Sequence, residues 1–310
     1  MERDEADAVE TLHTVRDWLR WAVSGFNAAH LSYGHGTANA LDEAAFLILE
    51  TLHLPIDILE PWLDARLTLA ERRRVGDIVQ ARIATRMPAS YLTGSAYIQG
   101  HRFQVDQRVI VPRSYIGEMI CVGALDGLMP DSGGRILDLC TGSGCLAILA
   151  ALRFEAAQVD AVELSADALA VARGNVEHYG LAKRIALLEG DLLAPVAGRR
   201  YDLIIANPPY VAAAEVAAFE PEHAAEPVMA HLGGSDGLDL ARRILDQAGQ
   251  HLNPAGTLVM EIGTGREILE AERADLPFVW LDTADSEGEV AMLTAADLGA
   301  GKGRRKRRVA

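Results

Sequence analysis

The sequence predicts an α/β chain, a seven-stranded sheet covered by helices on both faces and preceded by a helical domain and a linking β-hairpin. Three observations predict it. Apolar residues recur at helical spacing within residues 5–86, strands and helices alternate after residue 134, and a glycine turn closes the first strand of that alternation.

Val9, Leu12, Val15, Leu19 and Ala22 share one face of a helix expected over 5–29. Gly34-His35-Gly36-Thr37 interrupts the pattern. A second helix is expected over 40–52, ended by Pro55, and a third over 68–86, where Thr68 and Glu71 match a capping box. From Tyr91 the period changes. Tyr97, Ile98, Phe103 and Val105 flank Gly100 as a hairpin, Val109-Ile110-Val111 continues as strand, and Pro112-Arg113 ends it. A helix is expected over 115–129 and a loop over 130–134. Strands follow at 135–139, 158–163, 184–189, 201–206, 256–262, 277–282 and 289–295, with helices at 145–153, 166–178, 237–251 and 264–273. The last two strands follow each other closely, so the final one is expected to enter antiparallel.

Half of the 310 residues are hydrophobic, an ordinary globular composition. The opening ten residues are charged, unlike a secretory signal. No apolar run approaches the ~18 residues of a membrane span. Cys121, Cys140 and Cys145 show neither metal-ligand spacing nor an even disulfide framework, which points to free thiols in a reducing cytoplasm. The histidines form no HExxH or triad-like cluster, and no metal is called for. The net charge is −15, yet residues 301–310 hold six Lys and Arg and no acid, so residues 1–300 sum to −21. An acidic body repels nucleic-acid phosphates and attracts basic partners. The tail, Lys302 to Arg308, reads as a disordered solvated end, with an RNA or ribosome contact as the other reading.

Two stretches carry chemistry. Asn207-Pro208-Pro209-Tyr210 follows the apolar run Leu203-Ile204-Ile205-Ala206. Consecutive prolines forbid further ladder pairing, and the first of them pushes Asn207 towards extended geometry at the strand's carboxyl end. Asn207 offers a side-chain acceptor and Pro208 a backbone carbonyl with no N–H beside it. Two fixed acceptors suit the two hydrogens of a substrate –NH₂, and Tyr210 suits a planar group. A plain turn closing a strand is the alternative. Upstream, Asp138-Leu139-Cys140-Thr141-Gly142-Ser143-Gly144 runs from strand end through glycine turn to helix start. Ala147 is also compatible with a dinucleotide fingerprint, so the turn by itself leaves the cofactor open. Asp138, at the strand end, repels a pyrophosphate and suits a cationic sulfonium or amino group. Glu163 ends the second strand about twenty residues on, where a carboxylate accepts ribose hydroxyls. Ser165 reads equally as a cofactor contact or the next helix's N-cap. Asp191, after the third strand, reads as an acceptor for an adenine amino group or as a turn residue. No P-loop lysine is present, which argues against ATP.

Together these residues resemble the class I S-adenosylmethionine-dependent methyltransferases that carry an (N/D)PP(Y/F/W) motif, which implies a Rossmann-like catalytic domain. The helical N-terminal domain, the hairpin and NPPY are similar to the protein glutamine methyltransferases, over nearly the whole chain to about residue 298. Of two branches, one acts on the GGQ loop of release factors and the other on the third protein of the large ribosomal subunit. Tyr33-Gly34-His35-Gly36-Thr37, Tyr91-Leu92-Thr93-Gly94, Val111-Pro112-Arg113-Ser114, Leu139 to Cys145 and Gly233-Gly234-Ser235-Asp236-Gly237-Leu238-Asp239-Leu240 resemble the second branch. The release-factor branch usually has Gly at Cys140 and Pro at Ser114. The chain departs from the pattern at Tyr115, where Pro is expected, and at Glu163, where Asp is expected.

The resemblance implies S-adenosylmethionine as cofactor, held by Cys140, Thr141, Gly142, Ser143 and Gly144, with Glu163 on the ribose. Asn207 faces both cofactor and substrate, Pro208, Pro209 and Tyr210 face the substrate, and Arg113 lies near the substrate entrance. In this reading residues 1–88 recognise substrate, 89–114 link, 115–298 hold the cofactor and 299–310 form the basic tail. The implied partner is a basic ribosomal protein, alone or in an assembly intermediate. Three alternatives stay open: a release-factor glutamine methyltransferase, a nucleic-acid adenine methyltransferase, which the acidic body disfavours, and a ribosome-assembly factor without turnover.

Overall fold

The computed structural model describes residues 2–283 and 286–299, with side chains from Asp7 onward. The basic stretch Lys302 to Arg308 lies outside the described residues. The chain divides into two compact units, one of Met1–Ala96, Val105–Gln107 and Phe219–Glu226, the other of Tyr97–Gln104, Arg108–Ala218 and Pro227–Ala310.

The first unit holds α1 (Glu2–Thr11), α2 (Val15–Ala28), α3 (Ala40–Thr51), α4 (Leu69–Thr85) and the short α5 (Ala89–Thr93), around Trp18, Phe26, Leu47, Ile48, Val75 and Val79. The single helix expected over 5–29 is in fact two. Val15 N donates to the Ala65 carbonyl and Leu67 N to the His13 carbonyl, so residues 13–15 pair sideways instead of continuing the helix. Thr14 then starts α2 in a capping box with Asp17, worth about 1 kcal/mol. The capping box expected at Thr68 and Glu71 starts α4. Arg82, fully buried, donates to Glu43 at 2.7 Å and reaches Glu222 at 3.4 Å, a paired charge network in the interior of this unit.

β1 (Ser95–Ile98) and β2 (His101–Gln104) form the hairpin. The strand expected at 109–111 is absent; Val109 and Val111 are buried in a loop, so their apolar pattern records burial and not membership of a strand. The helix expected over 115–129 stops as α6 (Tyr115–Cys121), because Gly123 turns the chain at φ +80° before a single 3₁₀ turn at Asp126–Leu128.

Thereafter come β3 (Arg135–Leu139), α7 (Cys145–Arg153), β4 (Gln158–Glu163), α8 (Ala166–His178), β5 (Ile185–Glu189) and β6 (Tyr201–Ala206). Next are the one-turn α9 (Ala213–Val216) and α10 (Pro221–Ala224), the latter within the first unit, then α11 (Asp239–His251), β7 (Leu252–Glu261), α12 (Arg266–Glu272), β8 (Val279–Leu281) and β9 (Val290–Thr294). The sheet order is β5-β4-β3-β6-β7-β9-β8. Its first five strands run parallel, and β9 enters antiparallel to both neighbours, as the spacing predicts. This is a Rossmann-like doubly wound sheet.

Alternate residues face opposite layers. Ile136, Leu203, Ile205 and Val259 join Leu146 and Ile148 of α7 in one core, while Leu137, Leu139, Ile204, Ala206 and Met260 join Ile244 and Leu245 of α11 in the other. Each fully buried aliphatic side chain contributes about 1.5–3 kcal/mol, so the strand ends are rigid points. The chain winds from β3 one way and from β6 the other. The crevice beyond their carboxyl ends is the topological switch point where such sheets bind ligands. No helix among the described residues is long and apolar enough to cross a membrane.

Candidate active site

The register places the site residues in a row. Leu139 pairs with Val162 and with Ala206, and Ala206 pairs with Met260. One step further along each strand stand Cys140, Glu163, Asn207 and Glu261, on adjacent carboxyl ends about 4.8 Å apart.

The glycine turn is held from beneath. Asp138, fully buried, accepts from Thr141 Oγ1 through Oδ2 and from Ala147 N at 3.1 Å. Its Oδ1 is buried without a hydrogen-bond partner. Burial pushes the Asp138 carboxyl up to about 7, against the pull of those two donors. Glu163 accepts from Gly142 N at 2.9 Å with one oxygen, and from Leu164 N and Ser165 N with the other. Its extra methylene lets it reach back across the turn. Gly142 has φ +54°, and a Cβ there would meet nothing within 4 Å, so space opens above the turn. Gly144 precedes α7 and lies close to Ala172. Cys140 takes φ +60°, a left-handed conformation costing a non-glycine residue about 1 kcal/mol or more. Its thiol is pushed up by burial and by the Glu163 and Asp138 carboxylates, which makes it a poor nucleophile. All three cysteines are free, with Cys145 buried.

Two predicted residues already have local partners. Ser165 caps α8 by accepting from Ala168 N at 3.2 Å. Asp191 is half exposed and pairs with Arg243 at 2.6 Å.

Asn207 donates its Nδ2–H to the Arg113 carbonyl at 3.2 Å. That bond orients the amide and leaves Oδ1 as the open acceptor. The Pro208 carbonyl receives no backbone N–H among the described residues. Tyr210 packs its ring edge against Gly263, where a Cβ would come within 2.7 Å of Cδ2. Burial and the Glu261 and Glu289 carboxylates push its phenol up, so the hydroxyl keeps its proton. Tyr115 occupies the first turn of α6 behind its N-cap Ser114, a place where Pro is also favoured, so the departure there leaves the helix start intact.

A model of the methyltransferase small domain matches residues 123–222. The ribosomal protein uL3 glutamine methyltransferase of Burkholderia pseudomallei (strain K96243) is 52% identical over 297 residues, covering 92% of this chain and 95% of that protein. Proteins of the same name from Bordetella pertussis and Bradyrhizobium diazoefficiens are 51% and 52% identical over 93% of this chain, and cover 97% and 92% of their own lengths. The chain belongs to the ribosomal protein uL3 glutamine methyltransferase family. The motif-based choice between the two branches is borne out.

In this family member three supports of the site have no role assigned from the sequence, although the loop 233–237 is among the motifs that mark the branch. Asn175 of α8, fully buried, donates to the Ser143 carbonyl at 2.9 Å and to the Gln104 carbonyl at 3.0 Å, clamping the glycine turn. Glu261 is buried at the end of β7 and accepts from Ser114 Oγ and from Ile116 N at 2.9 Å. The glycine loop 233–237 lies directly on the NPPY backbone: a Cβ on Gly237 would come within 2.2 Å of the Tyr210 carbonyl, at φ +83°. Asp236 fixes that loop through Arg242, whose guanidinium holds its carboxyl down at about 2. Gly237→Ala must therefore displace residues 207–210, and kcat should fall on the order of tenfold in a folded protein. Gly198→Ala is the control, equally left-handed at φ +78° but in open space, and it should leave kcat unchanged. Steady-state kinetics of both variants check this.

Proposed function

We propose that the protein methylates the side-chain amide nitrogen of a glutamine in ribosomal protein uL3, with S-adenosylmethionine as donor. The observation that carries this reading is the oriented Asn207 amide beside the Pro208 carbonyl, two acceptors in a row with the acidic ends of β3 and β4. The fit to the cofactor rests on the orphaned Asp138 Oδ1 and the open space over Gly142, since an unpaired buried acceptor suits a cationic ligand and not a pyrophosphate. When bound, S-adenosylmethionine supplies an electrophilic methyl on a sulfonium.

The chain's residues do the rest. Cys140, Thr141, Gly142, Ser143 and Gly144 hold the cofactor along the turn, with Asp138 contributing negative charge beneath it. Glu163 accepts from the ribose hydroxyls, and Ser165 and Asp191 border the adenosyl end. Asn207 Oδ1 and the Pro208 carbonyl accept the two N–H bonds of the substrate carboxamide. That amide nitrogen is a poor nucleophile because its lone pair is delocalised into the carbonyl. Fixed acceptors disfavour the planar arrangement and stabilise the positive charge that develops on nitrogen as its bond forms. The methylated nitrogen then sheds a proton to solvent, so no strong base is needed. Pro209 and Tyr210 bound the carboxamide, Arg113 lines the approach, and residues 1–88 recognise the substrate protein. The charge of −21 over residues 1–300 suits a basic ribosomal protein, free or within an assembly intermediate.

Incubation with methyl-labelled cofactor and uL3, release factor, DNA or RNA tests the substrate. Label in uL3 is the expected result; label only in nucleic acid or release factor contradicts it. The cofactor reading has its own test. A cation beside Asp138 binds its ionised form, so the Kd should fall about tenfold between pH 6 and pH 8, as expected for one group titrating near 7. Calorimetry on Asp138→Asn should find that pH dependence gone.

A further inference from the structure

Glu261 carries a polar group into the sheet interior that the mechanism above does not use. It is 2% exposed, lies one residue past the Met260 that pairs with Ala206, and so stands beside Asn207 on the neighbouring strand. Ala206 and Met260 both face the α11 layer, so Asn207 and Glu261 share the opposite face of the pleat. The Glu261 carboxylate binds the segment that opens α6: Oε1 accepts from Ser114 Oγ and from Ile116 N at 2.9 Å. The residue just before that segment is Arg113, whose carbonyl takes the Asn207 amide at 3.2 Å. The Arg113 carbonyl and the Ser114 nitrogen belong to one planar peptide group, so a restraint on the Ser114 residue limits where that oxygen can lie. A buried carboxylate is costly, and an apolar residue of similar volume is commonly neutral or stabilising where a charge serves only the fold.

We propose that Glu261 is the positioning residue of the methyl transfer: through Ser114, Ile116 and the Arg113 carbonyl it sets the orientation in which Asn207 presents Oδ1 to the substrate amide. The proposal rests on the glutamine-methylation reading and adds a residue to it. Glu261 touches neither substrate nor cofactor; it acts through the Arg113–Ser114 peptide. Without it, that peptide loses its tie to the end of β7, the Arg113 carbonyl shifts relative to Asn207, and Oδ1 is displaced from where the substrate N–H arrives. The three linked groups come from the end of β7, the start of α6 and the end of β6, so no single motif contains them.

The test is a double-mutant cycle on methyl transfer to uL3, with cofactor Kd measured alongside. Glu261→Ala should lower kcat about tenfold while leaving the cofactor Kd within about twofold, because the misplaced group is an acceptor for substrate. Glu261→Gln, which keeps an acceptor oxygen for Ser114 and Ile116, should restore most of the turnover. In an Asn207→Ala background, Glu261→Ala should cost less than about twofold, since the group it positions is gone. A full tenfold loss in that background, or wild-type kcat in Glu261→Ala, overturns the proposal. If Glu261→Ala does not bind cofactor, Ser114→Ala tests the same link from the other side, and an unchanged kcat there overturns it as well. Absence of uL3 methylation by the wild-type protein is a different result, and it defeats the function reading before Glu261 is in question.

Discussion

Asn207→Ala should lower kcat by about 10²–10³, the cost of deleting one preorganised transition-state hydrogen bond. The size follows from where Asn207 stands. It leaves β6 at a strand end fixed by fully buried neighbours, with Pro208 barring any shift of register, and its amide is already spent on the Arg113 carbonyl. Alanine keeps the backbone and removes the acceptor. Asn207→Asp separates the two functions of the side chain. It keeps an acceptor but loses the donor to Arg113, and its carboxylate repels that carbonyl, so kcat should fall only about tenfold. Pre-steady-state methyl transfer from labelled cofactor reads both variants. Equal kcat for wild type and Asn207→Ala would remove the acceptor-pair mechanism.

The second large effect is on stability. Burial pushes the Glu261 carboxyl from 4.5 up to about 7, against the donors Ser114 and Ile116. The folded state therefore holds this proton more tightly than the unfolded chain. Its stabilising contribution is fully present below pH 4.5 and is lost as the pH rises through 7. Asp138, raised from 3.8 to about 7, acts with the same sign. The wild-type protein should thus be less stable at pH 8 than at pH 5. Glu261→Gln cannot ionise, so relative to wild type it should gain about 3 kcal/mol over that interval. Denaturant titrations at the two pH values measure the difference, and a gain below about 1 kcal/mol would mean that the carboxyl is not buried as described.

Much of this was legible in the residues. The strand 135–139, the turn at 140–144 and the helix 145–153 were readable because an apolar run, glycines and a helical period follow each other without overlap. The end of β6 just before Asn207 was readable because two prolines cannot continue the ladder. What could not be read depends on partners distant in sequence. Residues 13–15 look helical locally, and only their pairing with 65–67 breaks the helix. Val109 and Val111 look like strand, yet they lie buried in a loop. Glu261 carried a usable signal, an acid at the end of an apolar strand, as at Asp138 and Glu163. It was hidden inside an apolar run read through to residue 262. The closeness of Gly237 to the Tyr210 carbonyl has no sequence signature beyond the glycine itself.

Tandem mass spectrometry of uL3 incubated with this protein and S-adenosylmethionine tests the central claim most directly. One methyl group on a glutamine side-chain nitrogen, absent when Asn207→Ala replaces the wild type over the same time, is the result predicted. Unmodified glutamine in uL3 with the cofactor bound, or a methyl group on any other residue type, would contradict it.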